Sequence, residues 1–241
     1  MVRELVTRVY LVRHGETEEN RKKIIQGQLD TMLNDVGIQQ ADALAERLKE
    51  YHFDVAYTSD LSRVVETAKR VLEYHPNVPV HRTDALRERD LGAAQGKSHA
   101  QRRTLPASAI ESAEPRDAFV ARAVGWWREY ILGRVPEGPQ NILVITHGGV
   151  INALARALVS GKGLGSRDSS GQSFENARGA KIAEGVSLGW CANGSIMTVE
   201  VDECGQSGTE IVMYNDIAHL VDAGLQVVTS NADEADEYRK L

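Results

Sequence analysis

Val9-Tyr10-Leu11-Val12 and Ile142-Leu143-Val144-Ile145 are unbroken apolar runs, the pattern of strands buried on both faces of a parallel sheet. The first runs into Arg13-His14-Gly15-Glu16 and the second into Thr146-His147-Gly148-Gly149. Between them, apolar residues recur at helical spacing. Ile38, Ala41, Leu44, Ala45 and Leu48 predict a helix capped by Asn34 and running to about Tyr51. Val55 to Thr58 predicts a second strand ending at Ser59. Leu61, Val64, Val65, Ala68, Val71 and Leu72 predict a helix that stops before Pro76. Val78-Pro79-Val80 reads as a short edge strand. Ala118 to Leu132 predicts a helix with Phe119, Ala123, Trp126, Trp127 and Tyr130 on its bulky face, and Val150 to Val159 another. Thr17 to Lys23 is polar and predicts a short helix over the strand ends. Residues 90–113 show no period and read as loop. Ser195 to Val201 and Thr209 to Tyr214 predict a hairpin with Gly205 and Gly208 in its turn. Strands alternating with helices give an α/β three-layer sandwich, a central mostly parallel mixed sheet with helices on both faces.

Two stretches depart from this pattern. Gly161 to Gly185 is rich in Gly, Ser, Arg and Asp and reads as a surface insertion; residues 229–241 are charged and read as a frayed tail. The expectation is a single domain over residues 1–241, a length that buries a large core without disulfides. The net charge is −6, from 28 basic and 34 acidic residues. That balance argues against a nucleic-acid partner but allows a small anionic substrate, because a few arginines in a cleft set the local field. Cys191 and Cys204 are the only cysteines, which fits a reducing compartment. No run reaches the length of a membrane span, and Met1 to Leu5 lacks the apolar core of a secretory signal. The expected setting is cytoplasmic, or nuclear, with no membrane partner. Nothing in the pattern specifies an oligomeric state.

Open α/β sheets place their sites at the carboxyl ends of strands, which is where His14 and His147 fall. Transfer of a phosphoryl group to a histidine needs a neutral imidazole, cations on the phosphoryl oxygens and an acid for the leaving oxygen. Arg13 adjoins His14, and Arg63 opens the helix after the second strand. A guanidinium fork matches phosphate oxygens bidentately, and its charge lowers the pKa of a neighbouring imidazole. Gly15 and Gly148 allow close backbone approach. His52, His75, His81, His99 and His219 lack the spacing of metal ligands, so no metal and no cofactor is expected. Gly161-Lys162-Gly163-Leu164-Gly165-Ser166 lacks the order of a nucleotide-binding loop.

Arg13-His14-Gly15-Glu16-Thr17 with Asn20 resembles the signature of the histidine phosphatase superfamily, which includes the cofactor-dependent phosphoglycerate mutases. The resemblance continues in order through Gln26-Gly27, Leu29-Asp30, Ser59-Asp60-Leu61-Ser62-Arg63, Glu66-Thr67-Ala68, Leu86-Arg87-Glu88-Arg89-Asp90-Leu91-Gly92, Thr146-His147-Gly148-Gly149 and Asn193-Gly194-Ser195. It spans roughly residues 7–202 and implies a phosphoglycerate mutase-like fold. It also implies His14 as nucleophile, Arg13, Arg63 and His147 on the phosphoryl group, and Glu88 as general acid and base. Asn20, Gln26, Gly27 and the Gly148 backbone are implied to bind phosphate or substrate. Lys22 to Gln28 looks most like the TIGAR-type fructose-2,6-bisphosphatases and related broad-specificity phosphatases. Met32 stands where the family commonly has proline, and Leu91 where a bulky aromatic follows the acid motif; both are expected near the pocket rim.

The resemblance thus implies a metal-independent phosphatase for a small phosphomonoester, such as a sugar phosphate or bisphosphate. A phosphoglycerate mutase is the alternative. The interval between Glu88 and His147 is shorter than in the mutases, and its loop from Gln95 to Glu114 is polar. Both features favour water as the acceptor. A third reading, a non-catalytic module for phosphorylated ligands, fits less well with an intact His14, Glu88 and His147.

Overall fold

The computed structural model describes residues 6–134, 140–161, 179–202 and 208–227. Seven strands, β1 (Thr7–Arg13), β2 (Val55–Ser59), β3 (Val80–Thr83), β4 (Asn141–Thr146), β5 (Lys181–Ile182), β6 (Ile196–Val201) and β7 (Glu210–Asp216), form one sheet in the order β3-β2-β4-β1-β6-β7-β5. Strands β3, β2, β4 and β1 pair in parallel. β6 runs antiparallel to both β1 and β7, and β5 is parallel to β7. The helices are α1 (Glu18–Lys22), α2 (Asp35–Leu48), α3 (Ser62–Leu72), α4 (His99–Arg103), α5 (Ala107–Ile110), α6 (Arg116–Trp127), α7 (Gly148–Ser160) and α8 (Ala218–Asp222).

The pleat divides the core in two. Val9, Leu11, Tyr57, Val144 and Val199 face one way, where Phe119, Ala123 and Trp127 of α6 and Ile151 and Leu154 of α7 cover them. Tyr10, Val12, Ala56, Leu143 and Ile145 face the other way, under Leu44 and Leu48 of α2 and Val64, Ala68 and Val71 of α3. Each fully buried Leu, Ile or Val contributes roughly 1.5–3 kcal/mol. The apolar runs of β1 and β4 are continuous because both of their faces are covered, as the expected three-layer sandwich requires.

The differences have local causes. α2 ends at Leu48 because the Tyr51 N–H turns back to the Leu48 carbonyl, 2.9 Å away, and the Tyr51 ring packs edge-on against Tyr10. The edge strand starts at Val80, not Val78, whose N–H is bonded to His75 instead. Residues 90–113 are not a plain loop. They hold a 3₁₀ turn at Gly92–Ala94 and the short helices α4 and α5. α4 opens with a capping box between Ser98 and Gln101, a local signal that an apolar period does not report. The helix expected to Leu132 is α-helical only to Trp127 and continues as a π segment, Arg128–Leu132. The wider turn leaves Tyr130 at the surface, outside the buried set of Phe119, Ala123, Trp126 and Trp127. β5 and α8 are too short for an apolar period to predict. The expected hairpin is β6 with β7; Gly205 of its turn, residues 162–178 of the insertion and the 229–241 tail lie outside the described residues. Among the described residues no helix is long and apolar enough to cross a membrane.

Candidate active site

Parallel strands that end together deliver successive residues to one edge. The His14 N–H continues the β1–β4 ladder by bonding the Thr146 carbonyl (3.0 Å), and the Arg13 N–H bonds Ser195 O (3.1 Å). His147 follows β4 directly and caps α7. The two imidazoles stand edge to face, with ring centroids 5.3 Å apart. Ser59 closes β2, and Arg63 lies in the first turn of α3, on the buried side. Arg13, His14, Arg63, Glu88 and His147 are each at most 4% exposed.

Hydrogen bonding fixes the proton positions. His14 Nδ1 lies 2.7 Å from the Gly15 carbonyl, an acceptor, so Nδ1 carries the proton. The lone pair is then on Nε2, and Arg63 Nε points at it from 3.3 Å. The rest of the Arg63 fork donates to Leu29 O (2.7 Å), Gly27 O (2.8 Å), Thr31 Oγ1 (3.4 Å) and His147 Nδ1 (3.2 Å). Since guanidinium only donates, His147 Nδ1 accepts, and its Nε2–H faces Ser59 Oγ at 3.0 Å. Both imidazoles are held well below their ordinary pKa. Burial is the main cause for each, and Arg63 the next; Arg13 adds to the effect on His14, and His14 and Arg13 to that on His147. Desolvation thus outweighs the neighbouring charge that the sequence alone points to.

Glu88 reaches the same place from a different element. It leaves an irregular arm after the 3₁₀ turn Asp84–Leu86. One carboxylate oxygen accepts the Gly149 N–H (3.0 Å) in the first turn of α7, and the other the Arg89 N–H (2.9 Å). A Cβ on Gly149 would lie 2.1 Å from Glu88 Oε1, so only glycine leaves room for the carboxylate. Thr146 Oγ1 donates to Leu86 O (2.8 Å) and ties the arm to the end of β4.

The remaining expected residues gather behind and beside the histidines. Thr17 Oγ1 lies 2.9 Å from Gln26 Oε1 and 3.1 Å from Asn20 Oδ1. Gly27 contributes its carbonyl to Arg63, and Gly148 opens α7 beside His147. The close approach at Gly15 is internal, against the Gly37 carbonyl. Met32 is at the surface. Leu91 is not, because it turns inward onto Ile25 and Ala94. Single-residue reasoning passed over Asn193, whose amide nitrogen bonds the carbonyls of His14 (3.1 Å) and Gly15 (3.3 Å) and Asn20 Oδ1 (3.2 Å). It also passed over Ser59, Thr31 and Thr67, the last accepting the Gly15 N–H at 3.1 Å. Ser59, Thr67 and Asn193 all stand inside quoted motifs, so the motif boundaries were the available signal. Among the described residues no group of three or more His, Cys, Asp or Glu is placed to hold a metal ion.

The sequence profile described as the histidine phosphatase superfamily (branch 1) matches residues 9–177. A probable phosphatase of Schizosaccharomyces pombe is 34% identical over 218 residues, covering 88% of this chain and 95% of the relative. A broad-specificity phosphatase of Saccharomyces cerevisiae is 35% identical over 162 residues, covering 64% of this chain and 70% of the relative. Among solved structures, a mycobacterial glucosyl-3-phosphoglycerate phosphatase superposes with a TM-score of 0.67 at 26% identity, over 87% of this chain and 99% of that one.

Proposed function

Because the chain belongs to the histidine phosphatase superfamily, branch 1, and is a phosphatase of that family, we propose that it hydrolyses small phosphomonoesters through a phosphohistidine on His14. The observation that carries this reading is the 2.7 Å contact between His14 Nδ1 and the Gly15 carbonyl, which assigns the tautomer. With Nδ1–H spent on the Gly15 carbonyl, Nε2 presents its lone pair beside Arg63 and His147. Burial and two guanidinium groups keep the ring neutral, hence nucleophilic.

In the first step Nε2 attacks phosphorus and the bond to the leaving oxygen breaks. Glu88, entering as the carboxylic acid, gives that oxygen its proton. In the second step the Glu88 carboxylate takes a proton from water, whose oxygen attacks phosphorus. The P–N bond breaks, inorganic phosphate departs, and His14 and the protonated Glu88 are restored. Arg13, Arg63 and His147 hold the phosphoryl oxygens, Arg63 and the Nε2–H of His147 exchanging internal acceptors such as Leu29 O and Ser59 Oγ for the substrate, with Asn20, Gln26, Gly27 and the Gly148 backbone completing the cradle. Two cations and fixed donors offset the phosphoryl charge without a metal.

The names of the relatives point to the substrate class. One is a broad-specificity phosphatase and another acts on a phosphorylated sugar acid; sugar phosphates and related phosphomonoesters are the substrates proposed here. The test is rapid quenching with a radioactive phosphomonoester in excess chelator. Acid-labile, base-stable label on His14 supports the mechanism; label elsewhere, or activity that needs added Mg²⁺ or Zn²⁺, refutes it.

A further inference from the structure

We infer that Arg122, braced by Glu114, is a positioning residue that aims the Glu88 carboxyl at the leaving oxygen. The inference rests on the reading of Glu88 as the general acid. Arg122 lies on α6, outside every motif that marks the site. Its side chain is 23% exposed, and its neighbours on the helix, Phe119 and Ala123, supply the core contacts. Arg122 reaches instead across to the arm that carries Glu88. Nη1 donates toward the carbonyls of Ala85 and Arg87, each at 2.9 Å, and Asp84 at 3.2 Å; Nη2 donates to the Glu88 carbonyl at 3.3 Å. One guanidinium thus spans the main chain from the 3₁₀ turn to the acid itself.

The fork is held in turn by Glu114, whose two oxygens accept Arg122 Nε (3.1 Å) and Nη2 (2.9 Å). Glu114 also binds the arm just past Glu88. Its carboxylate accepts the Asp90 N–H (3.2 Å), its carbonyl accepts Arg89 Nε (2.8 Å), and its own N–H donates to Asp90 O (2.8 Å). A segment without a strand ladder has no other repeating source of rigidity, and a carboxyl group displaced by about 1 Å loses most of its worth as an acid. A planar fork meets several acceptors in fixed directions at once; an ammonium has a single nitrogen and does not.

The readout is the dependence of kcat/KM on the leaving group, which reports the step that Glu88 assists. An alkyl phosphate needs a proton on its leaving oxygen, whereas p-nitrophenyl phosphate needs it far less. Arg122→Met is expected to lower kcat/KM about 100-fold for the alkyl ester and by less than about 5-fold for the aryl ester. Arg122→Lys should recover only part of the alkyl activity. Combining Arg122→Met with Glu88→Gln should cost little beyond Glu88→Gln alone, since both remove one function. The ratio between the two esters does not depend on how much enzyme is folded, so a loss of stability cannot imitate the effect. Equal losses on both esters, with Glu88→Gln still discriminating between them, overturn the role of Arg122 alone. No discrimination by Glu88→Gln overturns the reading of Glu88 and this inference with it.

Discussion

The two sides of the site are held by different means. His14, His147 and Ser59 sit where β1, β4 and β2 end, so main-chain ladders set their positions. Glu88 sits on an arm without a ladder, fixed by bonds from side chains and from the start of α7 to its backbone and carboxylate. The division follows the chemistry. The phosphoryl group is the same in every phosphomonoester, and the residues proposed to cradle it stand at the ends of hydrogen-bonded central strands. The leaving group differs between substrates, and Glu88, the acid of the proposed mechanism, stands on a loop, where change is tolerated.

If the strand-end half performs the covalent step, breaking it costs most. His14→Ala should lower turnover by several orders of magnitude and abolish the phosphoenzyme, with the fold intact by circular dichroism. Arg63→Ala should cost roughly 10²–10³-fold in kcat, the range for losing a preorganised donor on developing charge; a loss below tenfold would move the main electrostatic role elsewhere. On the arm, Gly149→Ala forces Glu88 away from the α7 N-terminus. It should depress alkyl ester hydrolysis by roughly 10–100-fold, within the reach of general acid catalysis, while an aryl phosphate still labels His14. Loss of that labelling as well would show that the halves are not separable.

Partitioning of the phosphoenzyme sharpens the comparison further. A mutase must shut water out of the acid's side, and here the 90–113 segment is two short helices with few buried side chains. With 3-phosphoglycerate and 2,3-bisphosphoglycerate, phosphate should appear faster than 2-phosphoglycerate. The reverse order would make the chain a mutase of the same family.

The smallest expected effect is on stability. His14 and His147 are held neutral in the fold, with pKa values below those of the unfolded chain. On acidification the unfolded chain therefore takes up protons that the native state refuses. Stability falls as pH drops below about 6.5, by up to ~1.4 kcal/mol per pH unit for each such histidine. His75 and His219, lowered mainly by burial, act in the same direction. His147→Asn should flatten the dependence of unfolding free energy on pH between 7 and 5.5; an unchanged slope would mean the imidazole is protonated in the native state.

Most of the strand-end half of the candidate site is legible in the sequence because it is built from local rules. A continuous apolar run makes a buried strand, its end makes a site, and the residue after it is the candidate. The arm that carries Glu88 is less legible. Glu88 was found only through resemblance, since a charged run such as Arg87-Glu88-Arg89-Asp90 ordinarily reads as a solvated turn. Arg122 and Glu114 were invisible to periodicity, because what they bind is backbone carbonyl and amide, which carries no sequence signature. Asn193 shows the same limit, since its partners are the carbonyls of His14 and Gly15. Short helices such as α4 depend on caps, which an apolar period cannot register.

The place of β1 in the sheet has a consequence for biosynthesis. Arg8 is paired with Asn141 on one side and with Glu200 on the other. The strand that leads into His14 is made well before either of its neighbours, β4 and β6. A nascent chain therefore carries His14 long before it can hold it against Thr146 or Ser195. Contacts so distant along the chain also slow folding. Until β4 is out of the exit tunnel, Val9 to Val12 is an unpaired apolar segment in need of shelter, and hydrolysis is expected to begin only after β6 has joined it.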